Sequence, residues 1–217
     1  GNPLWSYPDG TLSTIHPASP QSTLDDPNSA RKPMGDALPD FYGGLTNTFT
    51  YKNWTLDTFF SFSYGNQLYN GTKALLYTYS TSDAHNLSTD ILDYWLITGH
   101  RTDIPSLNNS SIVSNSFGGG AVDYASGRDS DRFLEDASFI RLKNIKLSYN
   151  LPKSLLNKMH IRDLSVYIQG SNLLTFTKYT GLDPEVSAFG SSALLSGYDE
   201  LTMPQSKSYS LGVNVGF

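Results

Sequence analysis

Four histidines, 20 acidic residues and a large set of aromatics are the groups from which this 217-residue chain could build chemistry. His16, His85, His100 and His160 are scattered. No His-Glu-x-x-His pattern is present and no pair is spaced for one helix face, so structural or surface roles are expected of them. There is no cysteine, which removes a disulfide framework and any Cys-ligated zinc. "GRDSDRFLED" (127–136) gathers carboxylates that would attract Ca²⁺, but lacks the full EF-hand spacing. "GGG" (118–120) is not followed by Gly-Lys-Ser/Thr, so it is no phosphate loop. Nucleophile, base and orienting group cannot be assembled from spacing. The expectation is a non-enzyme with no metal and no cofactor. What remains is aromatic: Tyr77, Tyr79, Tyr94, Trp95, Phe189 and Tyr198 fall in polar connecting stretches. Their apolar ring faces suit the C–H face of a sugar, or contact with a peptide. The ordinary alternative is that they pack the loops together or meet a partner.

Those loops hang on strands. "FYGGLTNTFTY" (41–51) and "WTLDTFFSFSY" (54–64) alternate around the two-residue break "KN", the signature of a β-hairpin. Each run is about 11 residues, the length of a tilted membrane-crossing strand. In the second, Trp54, Leu56, Phe60, Phe62 and Tyr64 share one face. Asp57, Ser61 and Ser63 share the other, which in a barrel faces a wet lumen. "SFIRLKNIKLSYNL" (138–151) reads as a third strand. Ile140 and Leu142 share one parity, and Ile145, Leu147 and Tyr149 the other, so a bulge is expected near Lys143–Asn144. "LSVYIQGSNLLTFT" (164–177) is the fourth. "SYSLGVNVGF" (208–217) is the fifth, with Tyr209, Leu211, Val213, Val215 and Phe217 on its apolar face.

The connections alternate. The break at 52–53 and the stretch 152–163 are short; 65–138 and 178–205 are long. Residues 1–40 are turn-rich loop. Within 65–138, "TKALLYTY" (72–79) and "STDILDYWLI" (88–97) read as short helices, the second capped by Ser88. A connection of roughly 70 residues exceeds ordinary linkage and points to function. Short turns at one rim and long loops at the other are the pattern of an outer-membrane barrel. Tyr51, Trp54, Tyr64, Tyr149 and Phe217 sit at strand ends, where aromatic girdles lie. Net charge is −5, giving no basic footprint for nucleic acid. Charged residues are 16% of the chain and mean hydropathy is −0.32, values a strand-crossing membrane protein accommodates. Five strands cannot close a barrel, and open edges are not tolerated in hydrocarbon. The expectation is therefore the carboxyl-terminal part of a longer chain, with the short turns and carboxyl terminus on the periplasmic side.

Several stretches carry a family likeness, in order: "GDALPDFYGGLTNTFTYKNWTLDTFFSFSYGNQLYN" (35–70), "YWLITGHRTDIPSL" (94–107), "RFLEDASFIRLKNIKLSYNLP" (132–152), "VYIQGSNLLTFTKYTGLDPEV" (166–186) and the terminal "YSLGVNVGF". The chain resembles the carboxyl-terminal portion of SusC/RagA-type TonB-dependent outer-membrane transporters of Bacteroidetes. The resemblance implies an all-β fold, the last strands of an antiparallel transmembrane β-barrel of roughly 22 strands. It divides the chain into extracellular loop 1–40, hairpin 41–64, extracellular loop 65–138, hairpin 139–177, extracellular loop 178–205 and terminal strand 206–217. Neither plug nor TonB box can be found in these residues. It also implies import of oligosaccharides or peptides, a SusD-like surface lipoprotein, energisation by the TonB complex through another part of the protein, and contact with outer-membrane lipid. The terminal residues Tyr209, Leu211, Val213, Val215 and Phe217 resemble a barrel-assembly signal. A soluble all-β carbohydrate-binding module, with the aromatics as a sugar platform, is the competing reading. Its strands would run nearer 5–6 residues.

Overall fold

A computed structural model describes residues 5–6, 9–13, 33–78, 86–107, 112–114, 121–123, 130–159, 161–190 and 196–216. In chain order the strands are β1 (Trp5–Ser6), β2 (Leu12–Ser13), β3 (Phe41–Tyr51), β4 (Trp54–Tyr64), β5 (Gln67–Asn70), β6 (Ile112–Ser114), β7 (Ala121–Asp123), β8 (Leu134–Asp136), β9 (Phe139–Asn150), β10 (Asp163–Thr177), β11 (Tyr198–Asp199) and β12 (Ser208–Gly216). Helix α1 spans Gly71–Tyr77 and α2 spans Lys153–Met159. The chain forms two units. One comprises Gly1–Gly35, Tyr69–Leu134 and Tyr198–Leu201; the other Asp36–Leu68, Glu135–Gly197 and Thr202–Phe217.

The second unit is built on an antiparallel sheet in the order β12-β10-β9-β4-β3. Threonines and aromatics in alternation favour the pleated backbone of β3 and β4. Their register is unbroken from Phe41 opposite Tyr64 to Tyr51 opposite Trp54. The tight turn between them puts Lys52 at φ +53°, in the left-handed region. Because side chains alternate along each strand, the pairing register fixes two faces. One row runs Phe49, Leu56, Leu147, Ile168, Leu211 across all five strands. The adjacent row, on the opposite face, runs Thr48, Asp57, Lys146, Gln169, Ser210.

The bulge falls where the sequence places it, and it changes the reading of β9. Phe59 and Phe60 are consecutive in β4, yet pair with Asn144 and Leu142, leaving Lys143 as the extra residue. On the β10 side the register shifts between Ser171 and Leu174. One inserted residue reverses side-chain parity. Ile140 and Leu142 therefore lie on the same face as Ile145, Leu147 and Tyr149, and not on opposite faces as unbroken alternation would put them. The apolar face is continuous because the strand is not.

That face is uncovered within its unit. Phe49, Ile168, Leu211 and Phe176 are 61%, 53%, 82% and 64% exposed. Patches of this extent are foreign to a soluble monomer surface. A β-sandwich would bury them under a second sheet; here they stay exposed. Aromatics gather at both ends of the face. Trp54 and Tyr149 are 4.7 Å apart at one end, and Phe41 stacks on Tyr64 at 5.0 Å at the other. The small buried core of this unit (Leu68, Ala137 and Tyr179) lies beyond the Phe41–Tyr64 end of the strands. No helix among the described residues is long and apolar enough to cross a membrane.

On the polar face, Gly212 makes room for an aromatic ring. A Cβ there would fall 2.3 Å from Cζ of Tyr167, the residue opposite in β10. Lys146 Nζ sits 4.7 Å from the centre of the same ring.

The first unit contains the expected helical turns. Asn70 caps α1 by accepting from the Lys73 N–H at 2.9 Å. Ser88 caps a 3-10 turn at Thr89–Asp93, its hydroxyl accepting from the Asp90 N–H at 3.3 Å. Ala74, Tyr77, Ile91, Ile104 and Phe133 form the core, with Tyr69, Leu76 and Tyr94 packed against it. β1 pairs with β2 and β6 with β7, so the stretches 1–40 and 65–138 hold short ladders as well as loop.

Candidate functional site

The long connections leave the β9–β10 hairpin at its Phe139 and Thr177 end. Just inside that end lies a buried cluster on the polar face. Arg141 of β9 is 3% exposed. Its Nη2 donates to Asp183 Oδ1 at 2.5 Å, and its Nη1 to Glu185 Oε2 at 2.8 Å. Lys143, the bulge residue, reaches the same Glu185 oxygen at 3.0 Å and Gln205 Oε1 at 3.1 Å. Asp183 accepts further from the Glu185 N–H and the Gln205 N–H, each at 2.9 Å. The guanidinium stands 5.7 Å from the centre of the Phe139 ring.

A buried guanidinium is costly unless fully paired. Here two carboxylates pair the two Nη atoms, while Nε is buried without a partner, and both carboxylates come from the "GLDPEV" corner. Burial alone would push the Asp183 carboxyl up. The hydrogen bonds from Arg141, Gln205 and Glu185 outweigh it, and hold the group below the usual carboxylate range. The arrangement ties the start and end of the 178–205 connection to the strand wall. Nearby, Glu135 binds the same connection by accepting from the Thr180 N–H and hydroxyl at 2.7 Å.

The aromatic candidates divide by environment. Tyr77 is 9% exposed, inside the first unit's core. Its ring meets Phe133 edge-on at 6.0 Å, and its hydroxyl donates to Asp90 Oδ2 at 2.7 Å. Burial, together with that bond to a carboxylate, raises its pKa to about 12. Arg132 lies over both rings, 5.6 Å from Tyr77 and 5.2 Å from Phe133, and donates to the Asp103 carbonyl at 3.0 Å. Tyr198 stacks on Tyr69 at 5.5 Å with a 6° angle between planes, and its hydroxyl donates to Glu200. Tyr94 packs against the core, and Trp95 is half-buried, its backbone N–H donating to the Ile104 carbonyl at 3.0 Å. Phe189, in the second unit, is 51% exposed. Tyr79 lies outside the described residues.

Tyr209, Leu211, Val213 and Val215 lie on the apolar face of β12, between 44% and 82% exposed. Phe217 lies outside the described residues. Asp57 faces the polar side, where its Oδ1 accepts from Thr48 Oγ1 at 2.7 Å. Ser61 and Ser63 share that side. Of the histidines, only His100 is described, 3.3 Å from Asp93; His16, His85 and His160 fall outside the described residues. So do residues 127–129 of the acidic stretch. Among the described residues, no group of three or more potential ligands gathers around a metal position.

A single-layer antiparallel sheet, apolar across one face and polar across the other, defines a section of transmembrane β-barrel wall. It is not closed into a barrel in these residues. No protein-family model matches the chain. It is 30% identical, over 98% of its length, to TonB-dependent receptor P3 of Formosa agariphila, covering 20% of that protein. It is 31% identical to TonB-dependent receptor SusC of Bacteroides thetaiotaomicron, over 86% of the chain and 16% of SusC. It superimposes along its whole length on the RagAB peptide importer in the closed-closed state, with TM-score 0.74 and 27% identity, covering 21% of that chain. The open-open state gives 0.72. The chain belongs to the SusC/RagA family of TonB-dependent outer-membrane transporters. It spans about a fifth of the length of these relatives.

Proposed function

We propose that these residues are the carboxyl-terminal barrel portion of an outer-membrane importer. It takes up oligosaccharides or peptides, delivered with a SusD-like surface lipoprotein and driven by the TonB complex through a part of the protein outside these residues. The observation that carries the reading is the five-strand row from Phe49 to Leu211, exposed on a sheet one layer thick. Such a face requires lipid. Its flanking edges, β3 and β12, have no strand partner among the described residues, and in hydrocarbon they require one. The remaining strands of a larger barrel would supply it. The names of the relatives support nutrient uptake, SusC and the RagAB peptide importer among them.

In this reading the short turns and the end of β12 face the periplasm, and the long connections face outward. Phe189, exposed, and Tyr94, Trp95 and Tyr198, half-buried, are the loop aromatics with surface left to meet substrate. Tyr77 is committed to the first unit's core. Lipid contact falls to the apolar face, including Tyr209, Leu211, Val213 and Val215.

The test uses the full-length protein purified from membranes. A mass of about 120 kDa is expected from 23.9 kDa at a one-fifth share, with gel mobility that shifts on boiling. Calorimetric titration with oligosaccharide and peptide pools then identifies the substrate class, and Trp95→Ala is expected to weaken it. A detergent-free species of 23.9 kDa with no heat shift would sink the reading.

A further inference from the structure

The five strands end together at a rim whose charge runs against that of the chain. Hydrogen bonds sew it across the sheet. The Asn150 N–H donates to the Asn53 carbonyl at 2.9 Å, and Asn53 Nδ2 to the Asn150 carbonyl at 2.6 Å. The Leu151 N–H donates to Leu164, and the Arg162 N–H to the Gly216 carbonyl, both at 2.9 Å. The connections here, 52–53 and 151–162, carry Lys52, Lys153, Lys158 and Arg162. Among the described residues, the one carboxylate beside them is Asp163, at the start of β10, in a chain of net charge −5. At the opposite end of the sheet the flanking residues include Asp36, Asp40, Glu135 and Asp136.

Lys52 and Lys153 are exposed, and the Arg162 side chain is 79% exposed. Arg162 lies 3.4 Å from Asp163; Lys52 Nζ stands 5.3 Å from the centre of the Tyr51 ring. Helix α2 is anchored by Leu156, 3% exposed, and turns Leu155, 50% exposed, outward. Directly inside the rim is the aromatic row of Tyr51, Trp54 and Tyr149, the end of the apolar face. An apolar wall, then aromatic rings, then cations on flexible stems is the order met on leaving hydrocarbon for the headgroup layer.

We propose that this rim is a docking surface for anionic glycerophospholipid headgroups, their phosphates met along the rim by Lys52, Lys153 and Arg162 and the acyl chains laid on the aromatic row and Leu155. The proposal rests on the membrane reading above. Its particular content is the sign of the charge: aromatics alone would accept zwitterionic and anionic lipid equally. A cation beside an anionic surface shifts partition by about fivefold, an effect that salt screens.

The test is lipid retention by the full-length transporter. The protein is equilibrated with equal phosphatidylglycerol and phosphatidylethanolamine in mixed micelles, and bound lipid is read by native mass spectrometry. Wild type is expected to enrich phosphatidylglycerol several-fold at low salt and to lose the enrichment at high salt. Lys52→Gln/Lys153→Gln/Arg162→Gln is expected to cut it at least fivefold while keeping the heat-shifted mobility of a closed barrel. Should the triple variant fail to assemble, Lys153→Gln alone, on the exposed side of α2, is expected to lower it in the same direction. Equal retention of the two lipids by wild type overturns the proposal, as does unchanged enrichment in a folded variant. The two readings fail differently. A wild-type protein with no heat shift refutes the barrel itself; a heat-shifted protein without lipid preference refutes only the docking surface.

Discussion

Arg141 and Asp183 are 42 positions apart, and their guanidinium and carboxylate meet at 2.5 Å with each side chain 3% exposed. One lies in the strand motif "SFIRLKN" and the other in the corner "GLDPEV". The pair joins two separated stretches: each supplies half of one buried ion pair.

Breaking the pair from either side should leave a buried charge short of its main partner: Asp183→Asn leaves Arg141 with Glu185 as its remaining carboxylate, and Arg141→Met leaves Asp183 with two backbone N–H donors. Arg141→Met or Asp183→Asn is expected to cost about 3–5 kcal/mol. Joint replacement of Arg141, Asp183 and Glu185 by apolar residues should cost less than the single changes summed. Hydrogen exchange across residues 178–205 of the full-length protein measures this. Unchanged protection in Asp183→Asn would show that the corner is held by other contacts.

Acid should release the same corner. The folded-state pKa of Asp183 lies below its unfolded value, so its contribution is present above the ordinary carboxylate pKa of about 4 and is lost as pH falls through the lower folded value. Protection of the Glu185 and Gln205 amides, corrected for intrinsic exchange, should therefore persist at pH 5 and collapse only in stronger acid. In Asp183→Asn that acid step should be missing.

Deleting Lys143 should straighten β9 without turning its faces over. Lys143→Ala removes two contacts near the surface. Deletion removes the same contacts and makes Leu142 follow Asn144 directly, as Phe60 follows Phe59, so Ile140 and Leu142 stay on the apolar face and Arg141 on the polar one. Retention of the heat-shifted barrel by both variants is the expected outcome on gels; its loss with the deletion alone would show that the bulge itself is required.

Gly212→Ala should strain the polar face, because its Cβ would lie 2.3 Å from Tyr167. Overpacking of this kind costs about 1–3 kcal/mol. Shortening the ring in Gly212→Ala/Tyr167→Ser should recover part of the loss, and a double-mutant cycle on barrel unfolding reads the coupling. Additive effects would contradict the contact.

Tyr77→Phe should loosen the first unit by about 0.5–1.5 kcal/mol, the worth of one hydrogen bond, and leave Asp90 to water. The raised pKa means that the phenol's contribution is fully present below its ordinary value near 10, and fades as pH climbs through about 12. Alkaline difference spectroscopy should show one late-titrating tyrosine in wild type that the variant lacks.

Much of the fold is legible in the chain because strand periodicity is local. Alternation in 41–51, 54–64 and 208–216 assigns each residue to a face without knowledge of the neighbouring strand, and the spacing of the breaks separates short turns from long connections. The phase change at Lys143–Asn144 announces a bulge for the same reason. What it does to the faces is not local. Whether Ile140 joins Ile145 depends on how many residues of β4 and β10 lie opposite. The cluster of Arg141, Asp183, Glu185, Lys143 and Gln205 was likewise invisible as a site. Its residues were written in the quoted motifs, but charge in a strand normally signals a wet face. Only the folded corner returning over β9 buries them. The loop aromatics show the same division: composition marks Tyr77, Trp95 and Phe189 alike as rings in polar stretches. Tertiary packing then takes Tyr77 into a core, because Phe133, 56 positions later, closes over it. The sequence by itself determined strands, turns and the sheet's two chemistries, which follow from neighbours one and two residues away. Which charges are buried, and which rings are committed to the fold, was decided only by contacts between distant segments.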